Sequence, residues 1–347
     1  MAFPTSSPSS VPGALKTLLW PLAALLLLLA FNAVTSDFFL HVEMRDGRLY
    51  GTLIDILNQG AKVMILAVGM TLVIATGGVD LSVGSVMAIA GALAAVLAAD
   101  AHAGLWLILP ACLGLAAVLG SVNGWLVSGL KLQPIIATLI LMVTGRGAAK
   151  LLTGNDISPV RTITFDFPPL RFLGSGHVLG VPFSIVLVAL IFGLTVLIFR
   201  RTALGLFLEA TGNNETAARF AGLPAARVKV LAYAWCGLCA GLAGLVETGN
   251  LGACDPEQTG QMMELDAIFA VVAGGTVLTG GRFSLAGSIL GALLIQTLTH
   301  TLLAHQVRPT VMPVYKAVVI LALCLLHSPK FRAQLARLRP RRAAAGI

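Results

Sequence analysis

RRTALGLFLEATGNNETAARFAGLPAARVK, residues 200–229, is the stretch whose reading decides the fold. It holds Arg200, Arg201, Glu209, Glu215, Arg219, Arg227 and Lys229 within thirty residues. Each charge at mid-bilayer costs about 2.5–3.5 kcal/mol even on a lenient scale, so this stretch is no span. It is not linker-like either, because Leu204, Leu206, Phe207, Leu208, Ala217, Ala218, Phe220 and Leu223 need cover. Asn213 or Asn214 is placed to cap a short helix from Glu215 to Ala221, ended by Gly222 and Pro224. Two uses stand open for such an amphipathic helix with basic flanks: a docking surface, or a helix lying on lipid headgroups.

On both sides the chain is lipid-soluble. Its 347 residues are 57% hydrophobic and 11% charged, where soluble domains carry about 25% charged residues. Ten apolar runs read as spans, at about 18–35, 53–75, 83–99, 104–128, 134–152, 181–199, 230–249, 264–279, 284–303 and 313–327. Such runs suit a hydrocarbon layer of about 30 Å. The first run has a cleaved signal peptide as its alternative, but no clean small-x-small site follows it, which favours a retained helix. The expected division is a disordered cytoplasmic tail (1–16), a membrane domain (17–328) interrupted by a cytoplasmic loop (200–229), and a basic cytoplasmic tail (329–347). With the amino terminus inside, the inner segments hold fourteen Lys and Arg residues and the outer segments five. The positive-inside rule then puts both termini in the cytoplasm. It also explains the basic pI without any nucleic-acid partner.

No catalytic or metal constellation stands out. GxxxxGK[ST], HExxH and GxSxG are all absent, and the six histidines are scattered. Cys236 and Cys239 form a CxxC in a Gly- and Ala-rich span without nearby His, which reads as packing. The most distinctive local signal is TGGVDLSVGS, residues 76–85. Gly77, Gly78 and Gly84 allow the backbone to leave helical geometry, and Asp80 or Ser82 can cap the next helix. It reads as a hinge or pathway element, or as a tight capped turn at the membrane face. Other polar groups in or near spans are Asn58, Lys62, Asn123, Thr138, Arg146, Glu247, Asn250, Asp266, Gln296 and Lys316. Asp80, Asn123, Arg146 and Asp266 are the candidates for bordering a translocation route. Arg146 is expected to snorkel outward or to face an outer cavity. Gly120/Gly124, Gly237/Gly241 and Gly287/Gly291 are small-xxx-small pairs suited to close helix approach. An internal repeat is hinted: 77–86 and 280–289 share Gly-Gly and Gly-Ser at one offset, while a rival pairing sets Asp80 against Asp266.

Five stretches carry a family resemblance. IATGGVDLSVGSVMAIAG (74–91), RTALG (201–205), TGNNETAARFAGL (211–223), ELDAIFAVVAGGT (264–276) and GGRFSLAGSILGALL (280–294) resemble the ribose-type permeases, the membrane subunits of bacterial ABC sugar importers. DGRLYG (46–51), IDILN (54–58), ATLILM (137–142) and the TGRG around Arg146 look most like permeases of galactofuranose importers. The resemblance implies an all-α polytopic membrane protein of about ten transmembrane helices with the ABC importer permease fold. It implies a second permease chain, taken as non-identical, two cytoplasmic ATPase subunits and a periplasmic sugar-binding protein. The setting is the bacterial inner membrane, with lipid around the spans and no cofactor. The loop at 200–229 then contains a coupling helix, with Gly212, Asn214, Glu215, Arg219, Phe220, Gly222 and Leu223 as the ATPase-facing set and Gly212 and Gly222 permitting sharp entry and exit. An ion-coupled secondary transporter using Asp80, Glu247 and Asp266 is the alternative. Cys254, in the outer loop NLGACDPEQTGQMM, is expected to face outward without a role.

Overall fold

The computed structural model describes residues 12–36, 39–45, 47–99, 103–154 and 162–327. Among them are thirteen α-helices: α1 (Pro12–Thr35), α2 (Thr52–Ala75), α3 (Val83–Ala99), α4 (Leu105–Ser128), α5 (Pro134–Leu152), α6 (Pro168–Ser175), α7 (Phe183–Arg201), α8 (Ala203–Asn213), α9 (Glu215–Phe220), α10 (Ala225–Leu251), α11 (Met263–Ala273), α12 (Leu285–Ala304) and α13 (Met312–His327). Seven of these, α1, α2, α4, α5, α7, α10 and α12, are long and apolar enough to cross a bilayer. The chain is therefore an all-α polytopic membrane protein. Among the described residues, strands are confined to short antiparallel pairs, such as Glu43–Arg45 with Arg48–Tyr50 and Ile163–Thr164 with Ala253–Cys254.

The molecule is built around α2 and α10. Every residue of α2 from Val63 to Ala75 is buried, as expected of a helix that is apolar on all sides. By contrast α1 and α5 leave Leu27, Ile140 and Val143 exposed, faces fit for lipid. Glycines let α10 come close to its neighbours. A Cβ on Gly120 of α4 would overlap the Tyr233 carbonyl of α10, and one on Gly237 would overlap the Ala116 carbonyl. The small-xxx-small pairs of α4 and α10 thus face each other within one chain. Polar contacts add to the packing: the Thr71 and Ser288 hydroxyls join α2 to α12 at 2.7 Å.

Three boundaries differ from the apolar pattern. Helix α1 begins at Pro12, where proline suits a first turn, so residues 12–16 are helical rather than disordered tail. Residues 1–11 and the basic tail from 329 lie outside the described residues. The run 264–279 is helical only as α11, eleven residues long and rising about 16 Å, half of a span. Gly274 and Gly275 stop it: Gly275 takes φ +89°, and Thr276 N–H returns to the Val271 carbonyl at 3.2 Å. The loop 200–229 is almost wholly helical, because α7 runs on to Arg201 and α10 starts at Ala225.

Gly120→Leu should push α4 off α10 and cost about 1–3 kcal/mol, as overpacking does. Thermal unfolding of the detergent-purified chain measures this. Gly114→Leu on the exposed face of α4 serves as control and should leave the midpoint unchanged.

Candidate translocation and coupling site

The segment between α2 and α3 breaks the membrane helix inside the protein. Gly77 takes the left-handed conformation at φ +77°, and the chain turns back beside α2. Asp80, 1% exposed, accepts hydrogen bonds from Ser82 N–H at 2.9 Å and Ser82 Oγ at 2.6 Å. That Asx turn launches α3 at Val83. Asn123 of α4 donates from Nδ2 to Ser82 Oγ at 2.9 Å, and its Oδ1 is buried without a partner. Tyr233 of α10 donates to the Val79 carbonyl at 3.4 Å, and only a glycine at 78 leaves room for its hydroxyl. Tyr233 lies eight residues from the start of α10, about 12 Å along it. The break is thus enclosed by protein, the condition under which irregular backbone is tolerated within a membrane.

A second segment, 252–262, irregular but for the short strand at Ala253–Cys254, packs along α3, where Cβ atoms on Gly84 and Gly91 would meet Gly260 and Thr259. Arg146 of α5 donates from Nη1 to the carbonyls of Pro256 at 3.1 Å and Thr259 at 2.6 Å. Its guanidinium holds this loop. Glu247 of α10 accepts from Gly260 N–H at 3.0 Å and from Lys62 Nζ at 2.8 Å, and Lys150 reaches Glu257 at 2.8 Å. Cys254 is buried, its sulfur 3.6 Å from Thr259 Oγ1, so it does not face outward. Gly260 lies so close to Gly84 that a Cβ on Gly84 would overlap the Gly260 carbonyl and the carboxylate of Glu264.

Asp266 belongs to neither place. Both its oxygens accept from Lys316 Nζ of α13, at 2.9 and 2.7 Å. Of the four route candidates, the structure brings Asp80 and Asn123 together through Ser82. Arg146 stands with the loop and Asp266 with α13. Sequence reading missed Tyr233 and Glu264. Glu264 sat inside an apolar run, and the tyrosine carried no local signal.

Beside the break, at the end of α2, three stretches of backbone meet. Gly281 N–H donates to the Ala75 carbonyl at 2.9 Å. A Cβ on Gly280 would stand 2.8 Å from Gly77 N and 2.9 Å from the Gly212 carbonyl oxygen. One on Gly212 would overlap the Ala75 carbonyl. Gly212 is therefore a contact point inside α8, not an entry turn. The exit turn is at Gly222, φ +81°. Between them, Asn214 caps α9 by accepting from Ala217 N–H at 2.9 Å; Asn213 instead abuts Gly281. Phe220 is 89% exposed, Leu223 is half-buried and Ala218 is buried beneath them.

Residues 52–327 match the model of the branched-chain amino acid transport system / permease component family. The chain belongs to that family. It is 45% identical to the galactofuranose transporter permease protein YtfT of Escherichia coli K12, over 90% of this chain and 91% of the relative. It is 39% identical to the fructose import permease protein FruF of Bifidobacterium longum, over 94% and 92%. Identity to the ribose import permease protein RbsC of E. coli K12 is 37%, over 89% and 93%. No solved structure matches the chain. Membership makes the chain a transport-system permease.

Arg146→Met should free the carbonyls of Pro256 and Thr259 while leaving the helices in place. Amide hydrogen exchange over 255–262 should quicken, and exchange over 76–85 should not change. Unchanged protection of 255–262 would show that Arg146 does not hold the loop.

Proposed function

We infer that the chain is the membrane subunit of an ABC importer that moves a monosaccharide across the bacterial inner membrane. The observation carrying this reading is that three sugar permeases, for galactofuranose, fructose and ribose, each align over about nine-tenths of the chain. Galactofuranose is the favoured sugar, since that relative is 45% identical. The chain itself does no covalent chemistry. Cytoplasmic ATPase subunits supply energy, a periplasmic binding protein delivers the sugar, and a second, non-identical permease completes the membrane pair.

The geometry suits this work. Helix α9 is the docking element: a capped helix with an exposed phenylalanine, standing on a rigid glycine contact with the membrane core. Phe220 and Leu223 are its apolar anchors, with Gly222 shaping the exit. Gly77, Gly78 and Gly84 frame the hinge at which α2 passes into α3. Asp80 and Asn123 border the route there, while Arg146 and Asp266 act on it through the loop 252–262 and through α13. The acids that an ion-coupled carrier would use are committed: Glu247 to Lys62, Asp266 to Lys316 and Asp80 to Ser82. With the amino terminus inside, the inner segments hold fourteen Lys and Arg residues against five outside, which supports both termini lying in the cytoplasm.

Proteoliposomes holding this chain, its partner permease, the ATPase and the loaded binding protein should take up galactofuranose in preference to fructose and ribose, and only with ATP. Uptake driven by a proton gradient without the ATPase would overturn the reading. Phe220→Ala should weaken ATPase binding by about 1 kcal/mol or more, as a truncated interface anchor does, with insertion unchanged. Reporter fusions after Lys131 and Arg201 should report cytoplasm, and fusions after Gly154 and Val307 periplasm. An inverted result at 201 would reverse the topology.

A further inference from the structure

Glu215 opens α9, but its carboxylate faces inward rather than toward a partner. One oxygen accepts from Lys131 Nζ at 3.0 Å and from the Arg219 guanidinium; the other accepts from Lys229 Nζ at 2.6 Å. Lys131 lies in the turn between α4 and α5, and Lys229 lies in the first turns of α10. Two further features show that the cluster is built. Lys131 is held in the left-handed region at φ +59°, a conformation that glycine takes more readily, and from there its side chain reaches across 84 positions of sequence. Lys229 is only 14% exposed, so its charge is removed from most of the water and depends on Glu215. Burial would raise the Glu215 carboxyl, but hydrogen bonds from Lys229 and Lys131 outweigh it and bring it down from 4.5 to about 2. A depressed acid stabilises the fold above its unfolded value and loses that contribution as pH falls from 4.5 toward about 2. The Glu215 carboxylate is therefore charged near neutrality.

The two lysines sit at the feet of the two helices that touch the break at Asp80. Asn123 is eight residues before Lys131 and about 7.5 Å from the end of α4 at Ser128, and it donates to Ser82. Tyr233 is four residues above Lys229, about 6 Å along α10, and it donates to Val79. We propose that Glu215 is a positioning residue that ties the docking helix to α4 through Lys131 and to α10 through Lys229, so that a push on α9 moves Asn123 and Tyr233 together against the hinge at 77–82. This rests on α9 being the ATPase-docking helix. It adds that force enters the membrane core through a three-cation clasp on one carboxylate as well as through the glycine contact.

The test uses the assembled transporter with ATP alone as probe. Spin labels at Gln133 and Ala221, both exposed, report the distance between the α4–α5 turn and α9. In the wild type, one narrow distance should persist in the nucleotide-free, ATP-bound and ADP-bound states. Glu215→Gln and Lys131→Gly should each add a second population once ATP binds. Lys131→Gly also relieves the left-handed backbone, so its effect does not come from misfolding; Lys131→Arg should keep the wild-type distance. If both Glu215→Gln and Lys131→Gly keep one narrow distance in all states, the clasp does not couple α9 to the bundle. The docking reading fails separately, when Phe220→Ala leaves ATPase binding unchanged. Loss of ATPase binding in Phe220→Ala with a normal distance in Glu215→Gln would overturn only the clasp.

Discussion

The contact among Gly77, Gly212 and Gly280–Gly281 is the constraint on which the rest of the structure depends. Three backbones from distant parts of the chain touch there with no side chain between them, and the Gly281 N–H closes onto the Ala75 carbonyl. Side chains can hop rotamers and absorb small displacements; backbone against backbone cannot, because packed interiors are barely compressible. The end of α8 is thereby fixed to the end of α2. The surface helices are part of the membrane body, and a displacement of one is a displacement of the other. The same contact requires the chain to leave helical geometry at 76, so the break at Asp80 and the attachment of the island are one feature.

Above that contact, the placement of polar groups follows from the cost of leaving them unpaired in hydrocarbon. Lys62 and Glu247, Lys316 and Asp266, and Asp80 with Ser82 are each satisfied locally. Arg146 is satisfied by carbonyls, which the irregular loop can offer because its own ladder is incomplete. A helical carbonyl is already engaged; a loop carbonyl is free to accept. Irregular backbone and buried cation therefore stabilise each other, and the loop 252–262 stays at depth because α5 supplies the donor.

Much of this was legible in the sequence, and the limits have physical causes. Apolar runs near the length of a bilayer announce helices such as α2, α4 and α5. The island announces itself by charge, and a short helix after Asn213 or Asn214 follows from cap chemistry; choosing Asn214 needed the contact of Asn213 with Gly281. The apolar run through Val277 and Leu278 hid the end of α11, since composition does not report that Gly274 is pressed against Gly287. Gly212 was misread for the same reason: a glycine that permits a turn and one that permits a contact look alike in one dimension. Cys254 was misplaced, and the partners of Arg146 went unread, because contacts with backbone carbonyls and a folded-back loop carry no signature in sequence.

The two rival internal alignments can now be weighed on structure. At an offset of 203, Gly77–Gly78 correspond to Gly280–Gly281, and these turns lie against each other. Gly84 and Gly287 each fall within the first three residues of a helix, α3 and α12, and each is packed under a foreign glycine carbonyl, that of Gly260 and that of Gly274. The next residues, Ser85 and Ser288, both turn their hydroxyls back to a carbonyl of the preceding turn, Ser82 at 2.8 Å and Ser284 at 3.1 Å. Three matched positions thus behave alike: Gly77 and Gly280 both take positive φ, and Gly84 with Gly287 and Ser85 with Ser288 share their contacts, while Gly281 takes φ +94° and Gly78 does not. The alternative pairs Asp80 with Asp266, but one lies in an extended break and accepts from its own chain two residues on, while the other lies within α11 and binds a lysine from α13. Equivalent positions in a repeat should do equivalent physical work, and only the first alignment meets that condition. Each Gly-Gly turn then carries one helix start, α3 or α12, and the two turns brace each other where α8 arrives.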